Sequence, residues 1–240
     1  MKIRQRGWNH LLGATLATVS VACAPKQPAA EKSADAPAAT AVPEASAAPV
    51  PAGSYKLDQS HSTLLFRVSH LGFSNYTARF KRFDAQLQFD PKNLSASTLT
   101  TTVDAKTLET DYPDPATLDF NAELQNDQWL DTAKFPQITF RTTRVEATGK
   151  QAMRIEGELT LRGVTRPVTL EATYNGGYAG HPMDPNARIG FSAHGAFNRS
   201  DFGITYGIPA PGTTMGVSDR VDVIIECEFT GPPLAAAAHQ

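Results

Sequence analysis

A chain of 240 residues with a formal net charge of −2 and 41% hydrophobic residues has neither the basic excess of a nucleic-acid binder nor the apolar-poor, acidic make-up of a disordered protein. No run approaches the roughly 20 apolar residues that a membrane-spanning helix needs, so any link to a membrane must be an anchor. The two cysteines, Cys23 and Cys227, fall in unlike surroundings, which argues against a disulfide-stapled scaffold.

Lys2, Arg4 and Arg6 precede a short apolar run, Leu11 to Ala22, that ends in Ser20-Val21-Ala22-Cys23. A basic start, an apolar core and small residues at the cut describe a secretory signal over residues 1–22. A cysteine just after those small residues resembles the bacterial lipoprotein signal, with Cys23 as the lipidated first residue of the mature chain. The match holds at Val21 and Ala22 and departs at Ser20, where such signals usually carry Leu. Ala24 to Gly53 then holds twelve Ala and six Pro and no aromatic residue. Such a segment cannot bury enough apolar surface to fold alone, so residues 23–53 read as a tether.

From Ser54 the pattern changes to period two, which marks strands with one buried face. Tyr55 and Leu57 open it, and Asp58-Gln59-Ser60-His61 reads as a turn. Leu64, Phe66, Val68 and His70 alternate next, and Gly72 interrupts them. Tyr76, Ala78 and Phe80 share one parity and Phe83, Ala85, Leu87 and Phe89 the other, a slip that a β-bulge would produce. Leu99, Thr101 and Val103 follow Asp90-Pro91-Lys92-Asn93. Asp114-Pro115 then signals a helix start, with Leu118, Ala122, Gln125 and Trp129 at helical spacing. A helical insertion, in two short pieces, is expected over 114–132.

Ile138, Phe140 and Thr142 resume the alternation. Glu156 to Tyr174 reads as a hairpin reversing at Gly163, with Pro167 at the start of the returning strand or at a bulge. Ile189, Phe191, Ala193, Gly195 and Phe197 form another strand. The last is the cleanest: Val221, Val223, Ile225, Cys227 and Phe229. About eight or nine strands at regular spacing indicate an all-β, antiparallel barrel or sandwich over residues 54–231, with a flexible tail at 232–240.

Four runs in this order carry a family resemblance: His61-Ser62-Thr63-Leu64-Leu65-Phe66-Arg67-Val68-Ser69-His70-Leu71-Gly72, Lys134-Phe135-Pro136-Gln137-Ile138-Thr139-Phe140, Gly157 to Leu170, and Asn198-Arg199-Ser200-Asp201-Phe202-Gly203. Together with the final strand, they resemble the YceI-like family. The resemblance implies an extended, lipocalin-like antiparallel β-barrel of about eight strands whose apolar tunnel binds a polyisoprenoid outside the cytoplasm. It departs at Phe120-Asn121-Ala122-Glu123-Leu124-Gln125, where the family usually carries Arg-Asp-x-His-Leu-Arg. That removes an ionic cluster from the insertion.

The expected ligand is therefore a long isoprenoid lipid, of quinone or polyprenyl type, with no catalytic cofactor and no metal. Leu64, Phe66, Val68 and His70 are the lining candidates from the first long strand. Phe83, Leu87 and Phe89 follow, then Trp129 on the insertion, Ile138 and Phe140, and finally Ile189, Phe191 and Phe197. The bland reading is that each simply fills the core. The histidines show no His-x-x-x-His or His-Glu-x-x-His spacing. Arg199 and Asp201 read as a pair that pins a loop, and Cys227 as a small buried hydrophobe. Expected partners are the lipid and, through the anchor, a membrane, more readily the outer one because Ala24 follows the cysteine. No nucleic acid is expected, and a homodimer is left open. Two rivals stand beside this reading: a periplasmic enzyme using His70 and His194, and a protein-interaction module with a packed barrel core.

Overall fold

The computed structural model describes residues 49–234; the expected signal sequence, Cys23, most of the tether and the last six residues lie outside them. The alternating segments form one antiparallel sheet. Its strands are β1 (Gly53–His70), β2 (Ser74–Phe80), β3 (Phe83–Phe89), β4 (Thr98–Asp104), β5 (Leu108–Glu109), β6 (Gln137–Ala147), β7 (Ala152–Leu161), β8 (Val164–Tyr178), β9 (Asn186–Asn198) and β10 (Val217–Pro233). Neighbours run β10-β9-β8-β7-β6-β4-β3-β1, and β10 pairs again with β1. Eight strands thus close an up-and-down barrel, which removes the free edges that would otherwise template aggregation.

β2 and β5 are the upper continuations of β3 and β4. β1 pairs with β3 along Gly53–Lys56 and with β2 along Leu64–His70. β2 meets β5 at Arg79 and Phe80. The parity slip between Phe80 and Phe83 is the break between these pieces: Lys81 N and Arg82 N leave the ladder and donate to the carbonyl and hydroxyl of Thr107.

Three local expectations are corrected. Asp58 to His61 is not a turn; β1 runs through it as a bulge, where pairing with β10 shifts between Asp58 and Thr63. The expected helix over 114–132 shrinks to one six-residue helix, α1 (Phe120–Gln125), capped by Asp119 accepting from Ala122 N. Asp114 instead closes a turn by accepting from the amide and hydroxyl of Thr117, and the second piece folds as turns. The physical reason is competition: short acidic and amide side chains bond locally and stop helix propagation. Pro167 lies three residues into β8, opposite Glu158. Counted from the hairpin turn, that is a non-hydrogen-bonded pair, and pairing with β9 begins only at Leu170. The missing N–H is therefore not needed.

The hairpin itself is as read. Arg162 and Gly163 both take positive φ (51° and 73°), which matches a two-residue turn whose twist suits the flanking strands.

Chain direction divides the connections between two ends. The floor end holds 90–97, 148–151 and 179–185; the mouth end holds 71–73, the insertion 110–136, the Arg162-Gly163 turn and the loop 199–216. The floor is a packed plug. Tyr55, Ala187, Ile189 and Phe229 are almost fully buried. Phe89 stands 5.9 Å edge-on from both Tyr55 and Phe191, and Phe191 6.1 Å from Phe229. Tyr55 donates its hydroxyl to Pro51 O at 2.7 Å, and burial pushes its pKa up to about 12.

On the outer face of this end, Asp58 accepts from Ser60 N and Oγ, His61 Nδ1 and Arg188 Nη1. The Ser60 hydroxyl, then His61 and then Arg188 hold the Asp58 carboxyl well below the usual carboxylate range. The same hydrogen bond to Asp58, followed by the charges of Asp58 and Glu228, raises His61. The depressed Asp58 stabilises the fold above about pH 4, its ordinary value, and loses that contribution as pH falls. The raised His61 contributes below about pH 6.5 and loses its part as pH rises through the raised value. Thermal melting should therefore show the largest gap between the native chain and Asp58→Asn between those two values, narrowing on both sides. A gap that does not change with pH would remove this cluster from the stability profile.

Candidate functional site

Above the plug the barrel is hollow. A cavity of about 620 Å³ runs from Phe89 and Phe229 at the floor to His70, Val217 and Arg199 at the mouth. β10 lines it from Val217 to Phe229, twelve residue steps, or roughly 40 Å along a strand and about 30 Å along the axis of a tilted barrel. The hollow is long and narrow.

Its wall is hydrocarbon. The inward parity read for each strand supplies it: Leu64, Phe66 and Val68 on β1, Phe83, Leu87 and Phe89 on β3, Ile138 and Phe140 on β6, Phe191 and Phe197 on β9. Leu64, Phe66, Val68, Ile138, Phe140 and Phe197 face inward yet are only half-buried, because empty space stands before them. Phe83, at the upper end of β3, and Leu87, Phe89 and Phe191 nearer the floor are buried, so for them the core-filling reading also holds. Twelve of the thirteen expected lining residues reach the wall. Ile189 does not; it is 1% exposed inside the plug, one layer below the hollow.

The close approach of backbone and ring at Gly157 shapes the middle of the channel. A Cβ there would meet Phe140 Cζ at 2.3 Å and Arg141 O at 2.6 Å, so only glycine lets the Phe140 ring lie against β7. Several wall residues had the same inward parity but were not singled out from sequence, among them Ile155, Leu159 and Leu170 on the β7–β8 hairpin and Ile225 on β10. Tyr112, Phe120 and Leu124, from the insertion, had no periodic signal at all.

Charge is confined to the mouth. Among the described residues, His70 and Arg199 are the only lining side chains of the Asp, Glu, Lys, Arg and His types. Arg199, 3% exposed, donates to four carbonyls: Ser218 from Nε, Ile204 and Tyr206 from Nη1, and Val217 from Nη2, at 2.8–3.1 Å. It makes no ion pair with Asp201, which is exposed. Its guanidinium instead lies 5.2 Å over the Trp129 ring. Burial pulls its pKa down and Asp219 pulls it back up.

Arg162 does similar work from the neighbouring β7–β8 turn, donating to the carbonyls of Trp129, Asp127 and Gly203. Asn121 holds α1 in place by accepting from Thr110 N and Oγ1 and donating to Glu109. That amide, with Lys81, draws Glu109 down to about 2. Phe120 and Leu124 are left facing the channel. Trp129 packs under Tyr206, ring centroids 5.4 Å apart, and its indole nitrogen has no hydrogen-bond partner among the described residues.

Cys227 is an inert part of the wall; burial pushes its thiol up to about 12. His194, by contrast, is exposed on the outer face of β9, opposite Ile224 and Glu171. It does not meet His70, so the two histidines form no shared site. Asp58, His61 and Glu228 offer three ligand atoms within 4.8 Å of one another on the outer surface, but Arg188 already occupies Asp58 at 2.6 Å.

The YceI-like domain description matches residues 55–229 of the chain. The chain belongs to the YceI-like family. It is similar to a UPF0312 protein of Enterobacter sp. (strain 638), 38% identical over 182 residues that cover 74% of this chain and 86% of that protein. Protein YceI of Salmonella arizonae is 37% identical with the same coverage. Among solved structures, Burkholderia cenocepacia BcnA superposes with a TM-score of 0.60 at 22% identity, covering 72% of this chain and 98% of BcnA. A polyisoprenoid binding domain from Saccharophagus degradans superposes at 0.53 with 16% identity, covering 74% and 98%. As a YceI-like barrel, the chain keeps Arg162, Gly163 and Arg199 of the resembling runs in structural roles at the mouth.

Proposed function

We propose that this YceI-like barrel binds one long-chain isoprenoid lipid, of quinone or polyprenyl type, with its tail along the channel and its polar end at the mouth, on the outer side of the inner membrane. In this reading Cys23 carries the lipid anchor, and outer-membrane sorting follows from Ala24.

The observation that carries the reading is the shape and chemistry of the channel: long, hydrocarbon throughout, with ionisable Arg and His only at one end. A compact polar metabolite would find no partners inside it. A tail of about 40 carbons at roughly −0.3 kcal/mol per atom gives about −12 kcal/mol, so burial alone suffices and no charged clamp is required. The name of the Saccharophagus degradans neighbour supports the ligand class. The separation of His70 from His194 speaks against an enzyme built on that pair, and the hollow speaks against a packed interaction module.

The test is native mass spectrometry with organic extraction of the barrel purified without detergent. A co-purifying isoprenoid near one per chain is expected. An apo mass that does not change when quinones and polyprenyl lipids are offered would sink the proposal.

A further inference from the structure

A channel for a membrane lipid needs a place where the lipid crosses from bilayer to barrel. Among the described residues, the large apolar side chains that stand exposed are Phe73 (84%), Leu118, Met183, Tyr206, Met215 (72%) and Leu234. Four of these six belong to connections at the mouth end, and three of them join in one ridge. The Leu71–Phe73 turn is bonded to the long loop through Leu71 N to Gly216 O at 2.8 Å, beside Met215. A Cβ on Gly72 would stand 3.1 Å from Thr214, so turn and loop abut. Val217 N reaches back to Gly207 O at 2.8 Å, next to Tyr206, and Tyr206 lies against Trp129. Trp129, Val217 and His70 line the channel. The exposed apolar ridge is thus continuous with the apolar wall.

We infer that this ridge, Phe73, Met215 and Tyr206, seats the barrel mouth-down on a lipid bilayer surface; the inference rests on the lipid-binding reading above. A bilayer fits better than a protein groove because the ridge leads directly into the channel, and the ligand class resides in bilayers. Charge does not drive the contact. The insertion beside the ridge carries Asp111, Asp114, Asp119, Glu123, Asp127 and Asp131 against Lys134, which would repel an anionic surface. The seat is insertion of side chains into the headgroup boundary, as amphipathic surface segments do.

The sheet closes within Gly53–Pro233, so residues 49–240 serve as the test protein, with Trp129 as the sole tryptophan. Sedimentation with phosphatidylcholine vesicles, and quenching of Trp129 by brominated phosphatidylcholine, read the docking. Phe73→Ser combined with Met215→Ser should weaken vesicle binding by roughly tenfold or more. Met183→Ser, at the floor end, should leave it unchanged. Uptake of a polyprenol presented in detergent reports folding and the channel separately, and the double variant should retain it.

Native barrel that does not bind phosphatidylcholine vesicles while taking up polyprenol overturns the docking and leaves the lipid-binding reading standing. Equal losses in the double variant and Met183→Ser overturn it as well, as does binding that requires anionic lipid and vanishes with salt. A native barrel that takes up no polyprenol removes the reading beneath the inference.

Discussion

Glutamate in place of Phe140 is expected to empty the channel while leaving the barrel folded. Phe140 is half-buried, and its free face looks into the hollow. In the unloaded barrel, a carboxylate there is met by water, which a cavity of this volume admits, so folding tolerates it. Loading with hydrocarbon expels that water and leaves an ionised group with no cation near it. An unpaired buried charge costs several kcal/mol even after relaxation, so affinity should fall by on the order of a hundredfold to a thousandfold at about 3–4 kcal/mol. Phe66→Glu, facing the same space from β1, should behave alike. Phe140→Leu keeps the wall apolar and should cost under about 1.5 kcal/mol. Lipid content by extraction, with melting temperature as the folding check, decides the matter. A folded Phe140→Glu barrel that still carries its lipid would mean that the ligand lies elsewhere.

Loss of Arg199 should produce the largest fall in stability of any single change at the mouth. Arg199→Met removes the one side chain that satisfies the carbonyls of Ile204, Tyr206, Val217 and Ser218. A buried acceptor left without a donor costs about 1–3 kcal/mol, and water at the rim will recover some of the four. A net loss of about 3–5 kcal/mol by urea denaturation is expected. Arg199→Lys should recover less than half of it, because one ammonium cannot span four carbonyls held by a planar fork. A loss below about 1 kcal/mol for Arg199→Met would show that the loop is held by its own backbone bonds.

The barrel was legible because alternation is a local signal with a global meaning: a side chain's parity fixes which face of a closed sheet it joins. That is why eleven wall residues could be named strand by strand, and why the inward set of β10 from Val221 to Phe229 was legible, although the strand itself runs from Val217 to Pro233. Gly163 was legible for a related reason, since a two-residue hairpin turn demands positive φ. The insertion was less so. Asp114-Pro115 and Asp119 are both valid start signals, and the choice between them rests on Asn121 bonding to Thr110 and Glu109, a contact across the fold.

What only the tertiary structure decided is where the packing stops. Ile189 and Phe191 have the same parity and neighbouring positions on β9, yet one is sealed in the plug and the other faces the channel. The difference arises from which residues stand across the barrel, where Tyr55 and Phe229 fill the floor and Gly157 leaves room higher up. In the same way, the roles of Arg162 and Arg199 depend on loops brought together only by closure of the sheet. Strand, parity and turn are written in the local sequence. The hollow is not, because a cavity is a relation among side chains far apart in the chain.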